Sequence, residues 1–123
     1  MRFKSKHIKG NGRGKFLGFP TINMEIPKDL SLQTGIWAVL VEIKTKIFKG
    51  ALHFGPVPTF KEKKLSLEVF LIDTKDQDIP KLSDAKITIE PIKRLRKVMT
   101  FSSPKKLITQ IKKDVESAKQ ILL

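Results

Sequence analysis

The chain has 123 residues, no cysteine, and 25 lysines and arginines against 12 acids, for a formal net charge of +13. That length fits one domain spanning 1–123, the missing cysteine excludes disulfides, thiolate chemistry and cysteine-based metal sites, and no apolar run approaches the ~20 residues that cross a bilayer. The charge favours anionic partners, nucleic acid or the phosphates of a nucleotide, although lysines scatter from residue 4 to residue 119 without a dominant block and fit a solvated surface equally well.

In chain order, Met1-Arg2-Phe3-Lys4 runs directly into charged residues with no signal-peptide core, so a soluble, cytoplasmic and monomeric protein is expected. A first short strand is predicted over Phe3 to Ile8. Gly10, Gly12, Gly14 and Gly18, with Arg13 and Lys15 among them, then form a glycine-rich basic segment. Glycine lets backbone N–H groups approach a ligand closely, which suits a phosphate cradle; the same residues also make a flexible basic turn. The spacing is not that of a Walker A loop, because Gly10, Gly14 and Lys15 are one residue short and Phe16 replaces the Ser/Thr. Nor is it a dinucleotide fingerprint, since Leu17 occupies the third glycine position.

Thr21 and Asn23 follow, two residues apart, so an extended segment turns both to one side. A hydroxyl and an amide oxygen so arranged suit a magnesium ion already carrying phosphates and waters; both residues are also ordinary turn formers. Trp37, Val39, Val41 and Ile43 alternate with smaller or polar residues and predict a strand over Ile36 to Ile43. Further strands are predicted over Ile47 to Phe54, Ser66 to Asp73 and Lys86 to Ile92, punctuated by Gly50, Gly55, Pro56, Pro58 and Pro80. Glu68 sits among Leu67, Val69, Phe70 and Leu71. Turned into a barrel mouth it would be desolvated and more basic; turned outward it is a solvated glutamate. Ser103 before Pro104 reads as an N-cap with proline in the first turn. Leu107, Ile108, Ile111, Val115, Ala118 and Leu122 recur at helical spacing, which predicts a closing helix from about Pro104 to Leu122. Strands followed by one packed helix imply a small antiparallel barrel or sandwich. His7 and His53 are isolated and read as surface or core residues with no metal site between them.

Gly12-Arg13-Gly14-Lys15-Phe16-Leu17-Gly18-Phe19-Pro20-Thr21-Ile22-Asn23 resembles the G-R-G-x-x-L-G-F-P-T-A-N motif of the riboflavin kinase (flavokinase) family. Gly35-Ile36-Trp37-Ala38-Val39, Gly55-Pro56-Val57-Pro58-Thr59-Phe60, Leu67-Glu68-Val69, Leu95-Arg96 and the segment Phe101 to Ala118 are similar to further family motifs in the same order. The resemblance implies a six-stranded antiparallel Greek-key barrel closed by a C-terminal α-helix. It implies transfer of the terminal phosphate of a nucleoside triphosphate, with ATP the expected donor, to the 5′-hydroxyl of riboflavin, giving FMN, with Mg²⁺ or another divalent cation. Gly10, Gly12, Arg13, Gly14, Lys15, Gly18, Pro20 and Thr21 would bind the nucleotide, and Thr21 and Asn23 the metal. Glu68 would be the general base, Arg96 and Phe101 would meet the flavin, and Asp114 would serve the helix structurally. The chain departs from the family pattern in having no tyrosine, with Ile79-Pro80 where Tyr-Gly is usual. Phe70 stands for a common histidine, and His53 for an asparagine that often precedes the G-x-x-P-T-F turn. FAD synthesis is not expected. The competing class is a non-catalytic basic barrel that binds RNA or a flavin. Few aromatic residues and no ribonucleoprotein-type strand motif speak against RNA, and Thr21, Asn23 and Glu68 together are more than a pure binder needs.

Overall fold

The computed structural model describes residues 1–9, 19–56 and 64–123. Its strands are β1 (Phe3–Lys6), β2 (Thr21–Met24), β3 (Gly35–Ile43), β4 (Lys46–Pro56), β5 (Leu65–Ile72) and β6 (Lys86–Arg96), followed by one helix, α1 (Pro104–Ile121). The alternation of apolar residues located β3, β4 and β5 to within two residues at either end. β6 continues four residues past the predicted Ile92, where its charged tail (Lys93, Arg94, Arg96) hid the strand. Helix α1 starts as predicted: the Lys106 N–H donates to the Ser103 hydroxyl at 3.3 Å, a cap worth about 1 kcal/mol.

All strand pairs are antiparallel, in the order β1-β6-β3-β4-β5-β2. The run β6-β3-β4-β5 is a Greek key, since three hairpin-connected strands are followed by a fourth that returns beside the first. The two edges of the sheet meet. His7 bridges Met24, the Ile8 N–H donates to the Asn23 carbonyl at 2.9 Å, and the Glu25 N–H donates to the Lys6 carbonyl at 3.0 Å. The sheet therefore curls into a barrel, and the edges that would otherwise invite another strand satisfy each other.

Alternation along the strands builds two cores. Val39, Val41 and Ile43 of β3, Leu52 and Phe54 of β4, Leu67, Val69 and Leu71 of β5, and Ile87 and Ile89 of β6 point into the barrel. Gly50 faces the same way, and a Cβ there would stand 2.5 Å from Val69 Cγ2, so its missing side chain is space the core has used. The opposite face presents Ala38 and Ala51 as direct partners, with Phe70 beyond them. These small side chains let α1 lie close, and Ile111, Val115, Ala118 and Leu122 pack there against Phe70 and Ile72. Each larger aliphatic side chain so buried contributes about 1.5–3 kcal/mol. Among the described residues no helix is long and apolar enough to cross a membrane.

The β3–β4 hairpin turns on Lys44 (φ 51) and Thr45 (φ 89). Both central residues lie at positive φ, as a type I′ hairpin turn requires, yet neither is the usual asparagine or glycine. A β-branched residue there is strained. Thr45→Gly is expected to raise stability by about 1 kcal/mol, net of glycine's greater unfolded-state entropy, measurable as a higher urea midpoint at unchanged m-value. A loss of stability would mean that the turn is not strained.

Candidate active site

The register of the sheet draws one row of side chains across five strands. Arg96 of β6 pairs with Ile36 of β3, Ile36 with His53 of β4, His53 with Glu68 of β5, and Glu68 with Asn23 of β2. Directly opposed residues share a face, and this is the face that α1 covers, not the barrel interior. Glu68 is therefore not turned into the barrel, as one reading of its apolar flanks had it: Leu67 and Val69 take the interior, and Glu68 lies on the outer face with Phe70. It is nevertheless only 2% exposed, and His53 is 5% exposed. The β3–β6 register shifts between Ile36 and Trp37, leaving Leu95 as the extra residue of a bulge, a device that re-aims the next side chain. Arg96 is that side chain.

His53, Glu68 and Arg96 of this row, with Phe70, Phe101 and Asp114, line a cleft. The cleft encloses about 400 Å³, its open mouth included. It is a narrow slot lined mostly by apolar side chains. Residues 97–100, a connecting flap between β6 and the helix cap, contribute Met99 to its lining. Val98 is seated on Gly55 so closely that a Cβ there would lie 2.7 Å from Val98 Cγ2.

Arg96 is fixed by the helix. Its Nε donates to Asp114 Oδ1 at 2.9 Å and its Nη2 to Oδ2 at 2.7 Å, while Nη1 donates to the Lys97 carbonyl at 2.9 Å. Gln110 Nε2 adds a bond to Asp114 Oδ1 at 3.0 Å. A two-pronged pair of this kind is geometrically specific, and it joins the end of β6, the flap and α1. Asp114, expected to serve the helix, is thus what orients the arginine, a partnership that sequence spacing does not reveal.

Thr21 and Asn23 share the outer face as their spacing predicted, with Ile22 and Met24 buried in the barrel. Thr21 sits opposite Phe70, one row from Asn23. Its hydroxyl donates to the Phe19 carbonyl at 3.3 Å, which commits the hydrogen and leaves oxygen lone pairs to accept. A neutral hydroxyl and an amide beside one carboxylate fit a magnesium ion that keeps most of its shell as water and phosphate. Among the described residues no three His, Asp or Glu side chains gather into a closed metal site. Pro20 adjoins this strand, its carbonyl accepting from the Leu71 N–H at 2.9 Å. Gly10, Gly12, Arg13, Gly14, Lys15 and Gly18 lie outside the described residues. Sequence reasoning passed over His53 as an isolated histidine; its position before the Gly55 turn, opposite a strand bearing Glu68, was the available signal.

The model of the flavokinase family, described as riboflavin kinase, matches residues 1–122. The chain belongs to the riboflavin kinase family. A bifunctional riboflavin kinase/FMN adenylyltransferase of Bacillus subtilis is 36% identical over 90% of this chain and 35% of its own length. The Haemophilus influenzae enzyme of the same description is 33% identical over 96% of this chain and 37% of its own. The RNA-binding riboflavin kinase RibR of B. subtilis is 33% identical over 88% of this chain and 45% of its own. The chain thus spans between about a third and a half of these relatives. A crystal structure described as a macrolide-efflux protein from Streptococcus pneumoniae superposes with a TM-score of 0.76 over 96% of this chain and 38% of its own, at 24% identity, and establishes likeness of fold. The flavokinase barrel and helix are the architecture described above.

Removing one partner of the Arg96–Asp114 pair leaves a charge in a half-dry place. Asp114→Ala is expected to cost about 2–4 kcal/mol in chemical denaturation, and Arg96→Met combined with Asp114→Leu to recover most of it. Equal losses in the single and double variants would show that packing, not the ion pair, holds this junction.

Proposed function

We propose that this domain transfers the terminal phosphate of ATP to the 5′-hydroxyl of riboflavin, giving FMN and ADP. The observation that carries the reading is the register that makes Glu68 the direct neighbour of Asn23 on a helix-covered face beside a narrow apolar slot. Phosphoryl transfer to an alcohol asks the protein for alignment, charge neutralisation and a proton acceptor. Glu68 is that acceptor. As the riboflavin oxygen forms its bond to phosphorus and the bond to the departing ADP oxygen breaks, the hydroxyl proton passes to the Glu68 carboxylate. Burial keeps water from competing for the position. Thr21 and Asn23 offer the oxygens that would hold the magnesium of the nucleotide, which supplies charge neutralisation on the phosphates. Arg96 and Phe101 line the slot in which the flavin ring would lie, and the glycine-rich segment with Pro20 is assigned to the nucleotide by resemblance.

Incubation with riboflavin, ATP and magnesium should form FMN. Glu68→Gln keeps the shape of the side chain but accepts no proton, so kcat should fall by about 10²–10⁴, roughly 3–5 kcal/mol of barrier, at nearly constant KM. Asn23→Leu keeps bulk and removes the oxygen, so turnover should drop and its magnesium dependence change; a folded Asn23→Leu protein with unaltered magnesium dependence refutes the metal assignment. A basic RNA-binding barrel predicts instead no FMN, and RNA affinity that falls steeply with salt.

A further inference from the structure

His53 is a polar residue in a place where polarity is expensive. It is 5% exposed, it lies on the covered face of β4, and its register partner is Glu68, itself 2% exposed. Directly opposed residues in an antiparallel pair have Cβ atoms about 4.5–5.5 Å apart, so the imidazole and the carboxylate stand within reach of each other. The ring is also anchored. Ser66, two residues before Glu68 on the same face of β5, lies with its hydroxyl oxygen 3.2 Å from His53 Nδ1. Ser66 and Glu68 thus flank one imidazole from a single strand. With the serine hydroxyl as donor to Nδ1, the neutral ring carries its proton on Nε2, and what it can then offer a carboxylate is a donor.

We propose that His53, anchored by Ser66, is a positioning residue that holds the Glu68 carboxylate in its proton-accepting orientation. The inference rests on Glu68 being the base. A carboxylate on a strand retains side-chain torsions that the backbone does not fix, and a donor on the neighbouring strand limits them. The preorganisation is indirect: His53 also lines the slot, but what it does through Glu68 should appear in turnover and not in nucleotide binding.

The experiment is a double-mutant cycle on kcat for FMN formation. His53→Leu should lower kcat by about 10–100-fold, by analogy with the loss of a group that orients a metal-ligating side chain, with KM for ATP unchanged. His53→Asn keeps a side-chain N–H donor and should stay within a few-fold of wild type. In a Glu68→Gln background, His53→Leu should cause no further loss, because groups that act as a unit are not additive. The proposal is overturned if His53→Leu keeps wild-type kcat, if Leu and Asn are equally damaging, or if the His53→Leu loss persists in full on top of Glu68→Gln. Circular dichroism and melting temperature check folding; should His53→Leu fail to fold, Ser66→Ala runs the same cycle, with a several-fold loss in wild type and none in Glu68→Gln. Full activity of Glu68→Gln alone removes both this proposal and the assignment of the base. A damaged Glu68→Gln with additive His53 and Ser66 losses removes this proposal only.

Discussion

Glu68 stands opposite His53 on one strand and Asn23 on another, and that register is the constraint on which the rest of the site depends. It is enforced by the barrel, not by the site itself. A slip of one residue would exchange the faces of β5, sending Glu68 into the layer of Leu52, Val39 and Ile87 and setting Leu67 or Val69 under the helix. An unpaired carboxylate in that apolar layer would cost several kcal/mol, and the lost burial of the leucine and valine side chains adds to it. The aliphatic residues of the barrel interior are therefore what fixes the Glu68 carboxylate beside its neighbours.

The second face divides its length between stability and function. Where Ala38 and Ala51 are paired, the sheet is shallow and α1 sinks onto it. One row on, Ile36, His53 and Glu68 replace the alanines, and the N-terminal half of the helix stands over a slot. The Arg96–Asp114 pair lies at this boundary. Because it ties the bulged end of β6 to α1 at two oxygens, the flap of residues 97–100 is suspended between a fixed arginine and the capped start of the helix.

Local patterning made much of the architecture legible. Trp37, Val39, Val41 and Ile43 alternate cleanly because one side of β3 meets the barrel interior, and the Ser103-Pro104 start of α1 is a signal read without tertiary knowledge. The β3–β4 turn was bracketed correctly by its strands although Lys44 and Thr45 carry none of the usual turn chemistry. The end of β6 was missed because its outward residues are charged and its pairing with β3 is bulged. In the site, the shared side of Thr21 and Asn23 followed from period two. The orientation of Glu68 did not, since β5 is apolar on both faces and alternation carries no sign there. His53 and Asp114 were invisible as partners because their neighbours, Glu68 and Arg96, are 15 and 18 residues away in sequence and are brought close only by strand pairing and helix docking.

Two departures from the family pattern, Phe70 in place of a histidine and His53 in place of an asparagine, become one feature in the folded sheet. Ala51 is the register partner of Phe70 and His53 that of Glu68, so positions 53 and 70 are diagonal neighbours on the same face. Such neighbours lie within reach of aromatic and long side chains. A histidine at either position has access to the Glu68 carboxylate, from the adjacent strand in one case and from two residues along the same strand in the other. Phe70 fills the space above Ala38 and Ala51, joining the cluster under α1 while also lining the slot. The ring packed under the helix is the same ring that lines the slot beside Glu68.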